Sequence, residues 1–187
     1  MVGLRIIGGT LRGRKLQYSG DLRTRPMKDR VREAVFNLIG PRIVGAHAID
    51  LFAGTGALGL EAISRGAARA TFIERPLPTL ELLKQNAAAL GVAERCTANF
   101  GDAFLWTGAF VPAGGTPLVV FCSPPYDFYD FRREEMVQLI GRFEQIAPSE
   151  SALVVEADAR WDFGQLPQPE AWDVREYPPA FVGIYIK

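Results

Sequence analysis

Residues 46–59, Ala-His-Ala-Ile-Asp-Leu-Phe-Ala-Gly-Thr-Gly-Ala-Leu-Gly, decide the fold. Residues 48–52 read as a buried strand, 53–56 as a tight glycine turn and 57–65 as the helix that follows. In an α/β protein this succession brings the backbone close to a nucleotide-like ligand. Gly54-x-Gly56-x-x-Gly59 satisfies the dinucleotide pattern, and Glu74 follows Gly54 by twenty positions, where a ribose-binding acid falls. Glycines also end strands for steric reasons, so spacing alone leaves a plain turn and a dinucleotide site both open.

Asp50, four residues before Gly54, separates the readings. A pyrophosphate on this turn meets a carboxylate near its own charge, which is unfavourable in a partly desolvated site. S-adenosylmethionine carries a sulfonium, an ammonium and a carboxylate, so it is a net cation without phosphates and suits an acid at the strand end. The structural alternative is an Asp that holds the glycine turn through backbone amides.

Around this centre, 187 residues fit one domain with a sizeable core, and 48% apolar with 22% charged residues is an ordinary globular balance. No apolar run approaches membrane-spanning length, and Arg5 interrupts a very short apolar start, so neither a span nor a signal peptide is expected. Cys96 and Cys122 stand apart in strand-like stretches and read as reduced core thiols of a cytoplasmic protein, without zinc or disulfide. His47 is the single histidine, and at a strand start it reads as a solvated or packed imidazole rather than a catalytic base.

The zero net charge hides an asymmetry. Residues 1–32 hold nine Lys or Arg against Asp21 and Asp29, a balance of +7, and the remainder carries −7. A basic arm on an acidic body can meet a polyanion, although a solvated tail has the same composition. Residues 4–7 and 14–18 read as two short strands joined through Gly8, Gly9 and Gly13, with Arg12, Arg14 and Lys15 clustered between them. Arg23 and Arg25 continue the charge toward Pro26, and no aromatic is interleaved before Tyr18 to stack a base.

Residues 27–39 predict a helix with Val31, Ala34, Val35, Leu38 and Ile39 inward and Arg30 and Arg32 facing elsewhere. Residues 70–74 form a second strand ending in Glu74, whose carboxylate can accept from both ribose hydroxyls. Thr79 is expected to cap the next helix, which runs to Leu90. After a strand over 95–100, Asp102 either takes an adenine amine or starts a helix. The apolar run 118–122 is a central parallel strand, ending in Ser123-Pro124-Pro125-Tyr126. A helix over 132–146, a strand over 152–156 and an antiparallel pair over 172–177 and 182–187 complete a doubly covered sheet.

The glycine stretch, Ser-Pro-Pro-Tyr, Asp29-Arg30-Val31-Arg32-Glu33 with Phe36-Asn37, and Arg5-Ile6-Ile7-Gly8-Gly9 with Arg12-Gly13-Arg14-Lys15-Leu16 together resemble the bacterial guanine-N2 methyltransferases of 16S ribosomal RNA. The resemblance runs from residue 5 to about 160. It implies a Rossmann-like, mostly parallel seven-stranded sheet with the last strand antiparallel, a basic hairpin arm over 1–26, and a methyltransferase domain over 27–187. It implies S-adenosylmethionine as donor and the small ribosomal subunit as partner; a monomer that needs neither metal nor membrane is the expectation beside it.

Carried over, the donor site takes Asp50, Phe52, Ala53, Gly54, Thr55 and Gly56 from the first turn. Glu74 serves the ribose, and Asp102 and Ala103 the adenine; Arg75, expected beside the cofactor, departs with Pro76 from the acid or polar residue usual in the family and alters how the adenosine edge is held. RNA backbone falls to Arg5, Arg12, Arg14, Lys15, Arg23, Arg25 and Arg30. An exocyclic amine is a poor nucleophile because its lone pair is delocalised, and acceptors on its N–H groups localise that pair. The family supplies them from Asp or Asn before Pro-Pro-Tyr, with the ring stacking on a flipped base. Here Ser123 stands at that place, with the Pro124 carbonyl, Pro125 and Tyr126 following. A neutral hydroxyl is a weaker acceptor than a carboxylate. Reduced turnover, compensation by another acid such as Asp127, or a diverged site that binds RNA without turnover each follow from that change. An amino methyltransferase of DNA or protein is the rival enzyme.

Overall fold

The computed structural model describes residues 3–18, 20 and 26–187, so the expectations for Arg23 and Arg25 lie outside the described residues. Leu118–Cys122 (β4) is Leu-Val-Val-Phe-Cys, buried at every position, as a strand covered on both faces must be. It lies beside His47–Asp50 (β1) in parallel register, with Asp50 opposite Phe121. Arg69–Glu74 (β2) and Cys96–Phe100 (β3) extend the sheet on one side, and Ala152–Ala157 (β5) on the other. Ala180–Ile186 (β7) then inserts antiparallel between β5 and Trp172–Tyr177 (β6). Among the described residues the order is β3-β2-β1-β4-β5-β7-β6, the mostly parallel seven-stranded sheet with the last strand reversed.

Helices cover both faces: α1 (Asp29–Ile39), α2 (Ala57–Ser64), α3 (Leu77–Ala89), α4 (Ala103–Ala109), a single turn α5 (Phe128–Phe131) and α6 (Arg133–Ile146). Two apolar clusters result, one on each side of the sheet. Because β1 sits in the middle and the chain moves to β2 and β3 before crossing to β4, the carboxyl ends of β1 and β4 diverge. Ligands bind in such a crevice in open α/β sheets.

Gly59 fixes how closely α2 lies on β2. A Cβ there would stand 2.2 Å from Phe72 Cε1 in the core. Gly59→Ala is therefore expected to lower stability by about 1–3 kcal/mol, the usual cost of overpacking, read from the urea midpoint.

Four expectations are corrected. The helix begins at Asp29 rather than Met27. Helix α3 begins at Leu77 after Pro76, with Pro78 in its first turn, and Thr79 is buried within it rather than capping it. The paired strands of the arm reduce to one antiparallel bridge, Arg5 with Lys15, flanked by bonds such as Leu16 N to Leu4 O at 2.9 Å. Arg32 does not face outward: it is fully buried, in line with Phe36 and Ile39 at helical spacing. Its guanidinium donates to the Met27 and Arg5 carbonyls and to Asp29, and lies 3.8 Å from the buried Glu61.

Glu61 fastens the arm, accepting from the Ile7 and Gly8 amides at 2.7 Å each and from Arg65. Ile6 and Leu16 meanwhile join the apolar cluster on this side. His47 is buried against Thr71 at 2.8 Å, and burial pushes its pKa down to about 4, so the imidazole is packed and neutral. Both cysteines are free thiols, Cys122 buried and Cys96 partly so.

Candidate active site

The parallel strands deliver the expected polar residues, and with them Glu156, to one edge of the sheet. Asp50 ends β1, Glu74 ends β2, Asp102 follows β3, Ser123 follows β4 and Glu156 lies near the end of β5. Asp50 is 1% exposed: Oδ2 accepts from the Gly59 amide at 3.2 Å, and Oδ1 is buried without a hydrogen-bond partner. Burial raises its pKa to about 7, the Gly59 amide opposing and Glu74 adding to the rise. Glu74 accepts from the Gly54 amide at 2.5 Å and from the Arg75 amide at 3.0 Å, and burial raises its pKa too.

Between these acids runs the glycine turn. Gly54 and Gly56 adopt φ of 52° and 85°, values that other side chains rarely reach. A Cβ on Gly54 would meet nothing within 4 Å, so its backbone borders open space. Ala53 and Thr55 are buried beside it, and Thr55 lends its carbonyl to Asn86 Nδ2 at 3.1 Å. Arg75 is exposed. A lone buried carboxylate oxygen beside an open glycine backbone fits a cation-bearing nucleoside and suits a pyrophosphate poorly.

Asp102 takes the helix-starting alternative: Oδ1 accepts from the Phe104 and Leu105 amides and Oδ2 from Arg132 at 3.1 Å. Burial opposes its charge, but Arg132 and those amides together hold its pKa below the usual range. Arg132 also lies over the Phe104 ring at 3.8 Å. Phe52 meets Phe104 and Phe128 edge-on, each at 5.9 Å, so an aromatic group ties the end of β1 to α4 and to the Pro-Pro-Tyr loop. Ala103 is buried beneath it.

In the loop, Pro124 is buried, Pro125 exposed, and Ser123 and Tyr126 half-buried. The Ser123 hydroxyl donates to Glu156 Oε2, and the Tyr126 hydroxyl to Oε1 at 3.4 Å. Asp127, the expected compensating acid, turns instead to Arg160 at 3.1 Å, because Arg160 gathers Asp127, Asp130 and Asp158. The acid behind Ser123 is Glu156. Sequence reasoning missed it, although the signal was the one used for Asp50 and Glu74, an apolar run closed by an acid, here Ala-Leu-Val-Val-Glu. Phe104, Phe128 and Arg132 were missed as well, because only the fold brings them beside the turn.

On the arm, Arg12 and Lys15 are exposed, as is Arg30 on α1. Arg5 pairs with Asp29 at 3.1 Å, and Arg14 donates to the Ala89 carbonyl at 2.8 Å. No group of three or more His, Cys, Asp or Glu able to hold a metal occurs among the described residues, and no helix there is long and apolar enough to cross a membrane.

The model of the family described as conserved hypothetical protein 95 matches residues 4–182. Ribosomal RNA small subunit methyltransferase D of Escherichia coli strain K12 is 41% identical over 159 residues, covering 83% of this chain and 75% of that protein. The solved structure of the Escherichia coli protein yhhF is similar with a TM-score of 0.77 and 32% identity over 98% of each chain. An RNA methyltransferase from Salinibacter ruber, solved with S-adenosyl-L-homocysteine, shares the fold at 20% identity and a TM-score of 0.59, over 86% of this chain and 92% of that one.

Proposed function

Because this chain belongs to the conserved hypothetical protein 95 family, together with ribosomal RNA small subunit methyltransferase D, we propose that it methylates the exocyclic N2 of a guanine in 16S ribosomal RNA. The donor is S-adenosylmethionine, which supplies a methyl group on a positively charged sulfur. The observation that carries this reading is the buried, unpartnered Asp50 oxygen beside the open glycine turn, one strand away from Ser-Pro-Pro-Tyr.

Asp50 and the Gly54–Gly56 backbone hold the methionine part, with Phe52, Ala53 and Thr55 shaping the turn. Glu74 accepts from the ribose, with Arg75 at its exposed side. Asp102 and Ala103 border the adenine, Asp102 using carboxylate lone pairs that Phe104 and Arg132 leave over. Ser123 and the Pro124 carbonyl accept from the amine, Pro125 stiffens the loop, and the Tyr126 ring stacks on the base. These groups orient the nitrogen and localise its lone pair; no residue needs to form a covalent intermediate.

Arg12, Lys15 and Arg30 contact the phosphate backbone, while Arg5 and Arg14 first hold the arm in place. Such a substrate means a cytoplasmic reaction. The protein acts as a monomer, with residues 1–26 as the RNA arm and 27–187 as the catalytic domain.

Methyl transfer to small subunits that lack the mark, with free 16S RNA, DNA and protein substrates alongside, tests the assignment. Transfer to guanine N2 in the subunit is expected, and transfer only to DNA or protein overturns it. Replacing Arg12 and Lys15 by Glu is expected to weaken RNA binding without lowering the melting temperature. The double variant should also flatten the log–log salt dependence by about two, one for each lost phosphate contact.

A further inference from the structure

We propose that Ser123 and Glu156 act as one unit: Glu156 turns the serine hydroxyl into an anion-backed acceptor for the substrate amine and takes up the proton that the amine loses. The inference rests on the methyl-transfer reading above. It goes further by assigning the acid that a serine at position 123 lacks.

The two residues meet because β4 and β5 run parallel with Cys122 opposite Val155, so the next residues along, Ser123 and Glu156, are neighbours at the carboxyl edge. An ionised carboxylate accepts only, so the proton in this bond belongs to serine and points at Glu156. That direction leaves the Oγ lone pairs to accept from an amine N–H. A serine alone would have its proton free to point at the amine. Glu156 itself is pinned, since the buried Tyr129 hydroxyl donates to its main-chain carbonyl at 2.5 Å.

Among the buried acids, Glu61 gives the contrast. Glu61 is met by Arg32, Arg65 and two backbone amides, and its role is structural. Glu156 is met by two hydroxyls, Ser123 and Tyr126. A buried carboxylate met by neutral hydroxyls and no cation carries a desolvation cost, and this one lies beside the loop that faces the substrate amine in the reading above. Burial raises its pKa against the pull of those two donors, which suits a group that receives a proton.

The step balances. The amine nitrogen bonds to the methyl carbon of a methylsulfonium donor while the carbon–sulfur bonding pair stays on sulfur, and the nitrogen becomes positively charged. One N–H proton then passes to Ser123 Oγ as serine's own proton passes to Glu156 Oε2, and the N–H bonding pair remains on nitrogen. The nitrogen ends neutral, the serine unchanged, and Glu156 a neutral acid that returns its proton to water.

Glu156→Gln, Ser123→Asp and the double variant test this through kcat, KM for the RNA, calorimetric S-adenosylhomocysteine binding and the melting temperature. Glu156→Gln is expected to lower kcat roughly 100-fold, the scale of a lost general base, with KM and ligand affinity unchanged and the melting temperature no lower. In the Ser123→Asp background the same change should cost little, because a carboxylate then faces the amine directly. Equal losses in both backgrounds, a loss confined to KM, or a lower melting temperature with lost ligand affinity overturns the proposal in favour of a structural role. Wild-type turnover that Glu156→Gln leaves undiminished overturns this inference alone. A wild type that methylates none of the substrates overturns the methyl-transfer reading and this inference with it.

Discussion

Replacing Asp50 by Asn is expected to weaken S-adenosylmethionine binding about 10- to 150-fold, the range of 1.5–3 kcal/mol for a hydrogen bond to a charged group. The same change should raise the melting temperature of the ligand-free protein at pH 8. The two effects share one cause. Asp50 is buried with one oxygen on the Gly59 amide and the other without a partner, and its pKa is raised from 3.8 to about 7.

Between those values the folded protein keeps a proton that the unfolded chain has lost, so stability falls as pH rises through that window. Above pH 7 the full penalty of a buried anion is present, and Asn carries none. At pH 4 the advantage of Asn should vanish. A cationic donor favours the ionised acid, so wild-type affinity should climb as pH passes upward through about 7 and the variant's should not. Calorimetry at pH 6 and pH 8 with parallel melting curves reads both. An Asn variant that binds as tightly as wild type would make Asp50 a turn residue and remove the donor site from this strand end.

The largest loss of stability is expected at Glu61. Glu61→Ala removes the buried carboxylate that lies 3.8 Å from the fully buried Arg32, strips the acceptor from the Ile7 and Gly8 amides, and leaves Arg65 without its ion-pair partner. Breaking a buried pair from one side costs about 3–5 kcal/mol because the remaining charge stays desolvated. For a chain of this size that corresponds to roughly 10 °C in melting temperature. Protease cleavage within residues 3–18 should accelerate in the variant, since the Ile7 and Gly8 amides lose their acceptor and the arm is left to its bonds with Ser64 and Asn86 and the apolar contacts of Ile6 and Leu16. Calorimetric melting and a timed digest check this. A variant that melts like the wild type would mean that the remaining contacts, those to Ser64 and Asn86 and the apolar ones, hold the arm without Glu61.

Leu118–Cys122 and the strand–glycine–helix turn were legible because their patterns are local: a continuous apolar run and left-handed glycines admit few alternatives. The positions of Asp50 and Glu74 at the ends of β1 and β2, and of Asp102 just after β3, were legible for the same reason, each being an acid where a strand-like run stops. Arg32 was misread because a charged residue on a short helix faces water by default; the Arg5 carbonyl and Glu61, both distant in sequence, join Asp29 and the Met27 carbonyl to make its burial tolerable. Thr79 was misread because α3 starts two residues earlier, at Leu77 behind Pro76, with Pro78 in its first turn and no side-chain cap.

The sequence by itself therefore determined the mostly parallel sheet, the order of its strands along the chain and the acids at their ends, since periodicity and turn chemistry act over a few residues. The tertiary structure alone decided that β7 enters between β5 and β6, that Arg32 anchors the arm, and that Glu156 rather than Asp127 stands behind Ser123. Those pairings join residues tens of positions apart. Parallel register of β4 and β5 brings Ser123 beside Glu156, antiparallel pairing seats β7, and the packing of α1 carries Arg32 to the arm; local pattern holds no trace of any of the three.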